Sequence, residues 1–219
     1  NPDQLNTWFE LAAEEQYTRD LLFSTVFDIM SDVVCGARKS VHAAYQASKE
    51  DIGVSVTSLY NKLNGIEVKT SAELVRYAAR EMKEIIEKLG GANPPILRGL
   101  RVKILDGNCI EASEHRIKEL RSLAAGALPG KSLVVFDPSL RMPIDVFPCE
   151  DGHAQERSLL SDVLSTVKAL DVWIADRNFC TRDFLLGMKR QGAFFAIREH
   201  KNLPWKPLTK EKMIGGIET

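Results

Sequence analysis

Two consecutive prolines, Pro94-Pro95 after Asn93, separate two stretches of this chain that differ in hydrophobic periodicity. Neither proline fits a helix interior, and each forces the residue before it into extended backbone, so any preceding helix must end there. Up to about residue 98 the apolar side chains recur at helical spacing. From 99 to 200 they come in short strand-like runs separated by helical segments. The prediction is an all-helical unit over 1–98, an α/β unit over 99–200, and a distinct terminal segment over 201–219. A chain of 219 residues is long enough for two modest domains.

In the front unit, helices are expected over 19–35, 38–48 and 70–89. The last begins with Thr70 and Glu73 as a capping box, turns Leu74, Tyr77, Ala78, Met82, Ile85 and Leu89 inward, and stops at Gly90-Gly91. Residues 51–63 read as a glycine turn and a short amphipathic helix bearing Ser55, Thr57, Ser58, Asn61 and Lys62. The polar face of such a helix suits a DNA groove, as in the second half of a helix-turn-helix. The same pattern also suits another bundle helix.

Beyond the prolines, strands are predicted at 101–106, 133–136, 144–147, 172–176 and 193–197. Helices are predicted at 113–124, 152–169 and 181–191, and a hairpin joins the second and third strands through 137–143. A right-handed crossover through the 152–169 helix places the fourth strand beside the first and parallel to it. This is a mixed α/β sheet in the ribonuclease-H-like order. Val102-Lys103-Ile104-Leu105 then runs into Asp106, and Val172-Trp173-Ile174-Ala175 into Asp176, seventy residues later, on one sheet edge.

Paired carboxylates so placed bind divalent cations. Phosphodiester cleavage needs an activated oxygen nucleophile and a stabilised leaving oxygen, and two ions roughly 3.5–4 Å apart supply both. Hard ions such as Mg2+ take oxygen ligands, so Asp106 and Asp176 are the candidate catalytic and metal-binding residues. Either aspartate alone would as readily cap a turn. His153 with Glu156 matches no ligand spacing, and His115 and His200 read as polar surface or DNA-facing residues. Asp106-Gly107-Asn108 lacks the second aspartate an aspartyl phosphatase requires.

Longer segments carry a family likeness. They are Arg101 to Asn108, Glu114 to Arg121, Leu128 to Val135, Asp151 to Ser158 and Trp173 to Thr181. Over most of 50–205 the chain resembles the DDE transposases of bacterial insertion sequences, specifically the insertion-sequence-four group. The resemblance implies that Asp106 and Asp176 are the first two acids of a catalytic triad using Mg2+ or Mn2+. It also implies that the helical front unit helps grip the element's terminal double-stranded DNA, and it allows a homodimer on DNA. The family's third acid is a glutamate on a helix after the fifth strand, commonly beyond a β-rich insertion. Residues 201–219 resemble entry into that insertion, so the glutamate is expected to be missing here. Glu211, thirty-five residues after Asp176, sits at the interval of the integrase branch. Pro204, Pro207 and Gly215-Gly216 leave it no room for the long helix required.

Charge is uneven. Residues 177–212 hold nine bases against three acids, whereas 1–35 hold seven acids and one base. Arg177, Arg198 and Lys201 therefore place positive potential just past Asp176, where a polyanionic backbone would lie. Four widely spaced cysteines predict reduced, mostly buried thiols in a cytoplasm, and the family resemblance implies a bacterial one. The apolar run Leu21 to Phe27, broken by Asp28, is well short of the ~20 residues that span a bilayer. Two other readings fit the same residues: a non-catalytic DNA-binding transposase remnant, and a nuclease of the same fold without strand transfer.

Overall fold

The computed structural model describes residues 1–14, 20–110, 130–149, 155–201, 203, 204 and 206. The predicted helix 113–124, His115, His153 and Glu211 lie outside them.

The front of the chain is helical: α1 (Pro2–Ala12), α2 (Phe23–Val34), α3 (Val41–Ala47), α4 (Val56–Gly65) and α5 (Val68–Lys88). Asn1 caps α1 by accepting the Asp3 N–H, and Pro2 occupies the first turn, where its missing N–H costs nothing. The start of α2 has no cap of its own; instead Asn6 of α1 accepts the Ser24 N–H at 2.8 Å. One cluster gathers Trp8, Phe9 and Phe23, with the two phenylalanine rings stacked 4.2 Å apart. Another surrounds Leu59 of α4 and draws on α2 and α3 through Val26, Ile29 and Tyr45.

Helix α5 stops before Gly90-Gly91 as expected but departs from expectation in its start and its packing. It starts at Val68, two residues early, and Thr70 donates to the Glu67 carboxylate instead of capping with Glu73. Glu73 is taken by Arg76 at 2.6 Å. Leu74 and Tyr77 turn inward as predicted, onto the Trp8 cluster, but Ala78, Met82, Ile85 and Leu89 are exposed. The buried alanines are 72 and 79, which share a face with Arg76. Arg76 reaches across to Asp145 of the sheet at 2.6 Å and lies over the Phe147 ring. Small residues let this face approach the strand that carries Asp145, which the apolar periodicity alone did not show.

The sheet has five strands, β1 (Arg101–Ile110), β2 (Gly130–Asp137), β3 (Met142–Cys149), β4 (Asp171–Ala175) and β5 (Phe194–Ile197), in the order β3-β2-β1-β4-β5. β1–β2 and β2–β3 are antiparallel, whereas β1–β4 and β4–β5 are parallel. This is the predicted mixed arrangement, with the first strand beside the fourth. Helices α6 (Leu160–Thr166) and α7 (Arg182–Arg190) contribute Val163, Phe184 and Met188 to a core with Leu105, Leu133, Val135 and Trp173.

The helix expected over 152–169 is far shorter. Among the described residues a 3-10 turn, Glu156–Leu159, leads into α6, which ends at Thr166. The Asp171 carboxylate captures the Lys168 N–H at 2.9 Å, and Leu170 takes a positive φ of 68°, so the chain turns toward β4. Val167 stays buried without being helical. Among the described cysteines Cys180 is buried, but Cys35 is exposed, against the expectation of mostly buried thiols. No helix among the described residues is long and apolar enough to cross a membrane.

Candidate functional site

The register between β1 and β4 organises the site. Five parallel pairs run from Arg101 beside Asp171 to Leu105 beside Ala175. Asp106 and Asp176 are each one step past the last pair. β5 continues the row, since Ala175 pairs Ile197 and the Arg198 N–H still reaches the Ala175 carbonyl at 3.4 Å. Asp106, Asp176 and Arg198 therefore stand at the same level along three neighbouring strands. Alternation along β1 turns Asp106 away from the core that holds Leu105. It lines a surface hollow with Ile104, Asn108, Val134 and Phe136.

Asp106 does not end its strand. β1 runs on to Ile110, paired with β2 as far as Gly130, although Asp-Gly-Asn reads as a turn signal. What ends at Asp106 is the parallel pairing with β4. Asp176 leaves β4 altogether and caps the 3-10 turn Arg177–Phe179.

Both aspartates are exposed. Each uses Oδ1 to accept the N–H of the next residue, Gly107 at 2.9 Å and Arg177 at 2.6 Å. Among the described residues the second oxygen of each accepts no hydrogen bond. Two oxygen-only groups with a spare lone-pair face each are the donor set a hard divalent cation takes. Among the described residues no cluster of three acids, histidines or cysteines suited to a metal forms.

Two features at this end of the sheet were not read from the sequence. Glu156, at the start of its 3-10 turn, accepts from the Asn178 side chain at 2.6 Å, and Arg157 Nε donates to the Asn178 carbonyl at 2.7 Å. The Glu156 carboxylate also lies directly over Gly107, where an added Cβ would stand 2.7 Å from its Cδ. At the opposite end of the same strand pair, Asp171 is completely buried and accepts from Arg101 Nε at 2.8 Å and Lys103 Nζ at 2.9 Å. An Asp preceding an apolar strand gives no hint of such a partner set, because the two cations lie about seventy residues away.

Of the predicted DNA-facing residues, Arg177 and Arg198 stand at this sheet edge and are exposed, and Lys201 is exposed three residues past Arg198. Ser55, Thr57 and Asn61 belong to the helical unit. Ser55 caps α4 by accepting the Ser58 N–H, while Thr57 and Asn61 are exposed on it. Lys62 points elsewhere. Its ammonium lies over the Phe9 ring at 4.7 Å, and burial pushes its pKa down against the opposing pull of Glu67.

No protein-family model matches the chain, and none of the curated proteins matches it. A solved structure of the piggyBac transposase synaptic complex with hairpin DNA is similar at 11% identity and a TM-score of 0.39. The similarity covers 94% of this chain, which spans about half (48%) of that one.

Proposed function

We propose that the chain carries the first two acids of a metal-dependent DNA strand-transfer site, in the manner of the insertion-sequence-four group of DDE transposases. One observation carries the reading: the β1–β4 register leaves Asp106 and Asp176 abreast, one step beyond Leu105 and Ala175, both exposed. The sheet order that produces this register is the one the family likeness implies.

In this reading Asp106 and Asp176 would hold Mg2+ or Mn2+, which would supply Lewis-acid polarisation of the phosphodiester and make water a stronger nucleophile near neutral pH. Arg177 and Arg198 bind the flanking phosphates, where planar guanidinium groups grip anionic oxygens in pairs. A water oxygen bonds to phosphorus at the element end as the bond to the 3′-oxygen breaks. The freed 3′-hydroxyl then attacks a phosphodiester of target DNA, which loses its own bridging oxygen in turn. The third acid of the family's site has no counterpart among the described residues. Ser55, Thr57 and Asn61 add a separate DNA contact from the helical unit.

The test is cleavage of element-end DNA by the natural protein with Asp106→Asn or Asp176→Asn. Each change is expected to abolish Mg2+-dependent strand cleavage while DNA affinity stays within about threefold, since in this reading Arg177 and Arg198 and not the two carboxylates grip the phosphates. Undiminished cleavage by either variant refutes the catalytic assignment and leaves a DNA-binding protein.

A further inference from the structure

We propose that Glu156 and Arg157 are positioning residues that fix Asp176 relative to Asp106, an inference that rests on reading those two acids as a cation site. Backbone pairing cannot do this. The β1–β4 ladder ends at Leu105 and Ala175, and beyond it β1 stays bonded to β2 while the other strand turns away at Arg177–Phe179. Some other contact must tie that turn to β1.

The Glu156–Arg157 pair supplies it from a third segment. Asn178, two residues past Asp176, is held at both its amide groups: its side chain donates to Glu156 and its backbone carbonyl accepts from Arg157. The same Glu156 carboxylate rests on Gly107, the residue after Asp106. One side chain thus touches the neighbours of both acids.

Gly107 is a requirement of this arrangement. It lies within a strand where glycine is ordinarily unfavourable, and its backbone does not need a positive φ. Its use is the close approach: a Cβ there would meet the Glu156 carboxylate, which would have to shift from the position in which it holds Asn178. Glu156 is not itself placed as a ligand, because strand alternation puts the Gly107 position it covers on the opposite face of β1 from Asp106.

Two measurements on the intact chain test this: amide hydrogen exchange across Val172–Phe179, and Mn2+ affinity by calorimetry. The variants are Glu156→Ala, Glu156→Gln and Gly107→Ala, with Asp106→Asn as the control on the cation reading. Losing a charge-assisted hydrogen bond should speed exchange at Arg177 and Phe179 by about tenfold or more in Glu156→Ala and Gly107→Ala. Exchange in the β4 ladder should be unchanged. Mn2+ affinity should fall about 10- to 100-fold in the same two variants. Glu156→Gln keeps an acceptor for Asn178 and should restore both readouts to within about threefold of the parent. Unchanged exchange at Arg177 and Phe179 in Glu156→Ala overturns the clamp whatever the cation does. A glutamine variant as damaging to Mn2+ binding as the alanine variant also overturns it, because the charge and not the hydrogen bond would then matter. If Asp106→Asn leaves Mn2+ affinity intact, the cation reading fails, and the exchange data still decide whether the turn is clamped.

Discussion

Asp171→Ala tests the far end of the strand pair that carries the two acids. The Asp171 side chain has no solvent exposure and holds three donors: Arg101 Nε, Lys103 Nζ and the Lys168 N–H. The three do not count equally. Arg101 is 55% exposed and can return to water, so its share is that of a surface pair, about 0.2–1 kcal/mol. Lys103 is only 14% exposed and would keep the Trp173 ring, 5.0 Å from its ammonium, and the more distant charge of Asp145. Removing one partner of a buried pair costs about 3–5 kcal/mol. Lys103 retains some access to water, so about 3 kcal/mol is expected in all, including the orphaned Lys168 N–H. For a chain of this size, that corresponds to a fall in Tm of roughly 6–12 °C. Urea unfolding followed by far-UV circular dichroism gives the free energy, and a thermal scan gives Tm. Pairing Asp171→Ala with Lys103→Met should recover at least about 1 kcal/mol, since the stranded cation is then gone. A loss below about 1 kcal/mol for Asp171→Ala alone, or no recovery in the double variant, refutes the argument that this buried carboxylate fixes the register of β1 on β4.

Three further outcomes are expected. Burial pushes the Asp145 carboxyl up, more than its hydrogen bond to Arg76 holds it down, so the folded state keeps that proton to higher pH than the unfolded chain does. Stability from this group is therefore present at low pH and lost as pH rises through its folded value. Arg76→Met removes the opposing cation, so its cost, about 1–3 kcal/mol at pH 7, should shrink as pH falls toward about 4; a cost independent of pH in paired urea titrations contradicts this. Gly187→Ala would put a Cβ 2.7 Å from Leu164 Cδ1 at the α6–α7 contact. The overpacking, about 1–3 kcal/mol, should outweigh the roughly 1 kcal/mol of helix propensity gained, and a variant more stable than the parent rules this out. Arg198→Ala should weaken DNA binding and lower the slope of log K against log salt by about one; an unchanged slope removes Arg198 from the phosphate contacts.

The strand order was legible because it follows from which apolar runs are short, where helical spacing intervenes and how parallel strands must connect. The extent of β1 was not. Gly107 and Asn108 carry turn propensity, yet they pair with Leu133 and Ser132, since β2 offers a full ladder and a distant glutamate needs the space over Gly107. The long helix over 152–169 failed for a similar reason. Its apolar spacing holds through Val167, but Asp171 draws the Lys168 N–H out of helical register. The capping box at Thr70 and Glu73 was a valid local pattern overridden by Arg76, which uses Glu73 and Asp145 together. Each miss is a polar contact, some near in sequence and some distant, that outcompetes the expected pattern. Asp106 and Asp176 were readable as residues, but their shared level in the sheet needed the register.

The stepped edge, where β1 outruns β4, gives the two carboxylates unequal freedom. Asp106 belongs to a backbone bonded on to Ile110, which behaves as a fixed post. Asp176 begins a short turn whose backbone bonds are its own and which side chains tie to β1. A change in the spacing between them would therefore arise on the Asp176 side, and substitutions that stiffen or slacken that turn would tune the gap without touching the post.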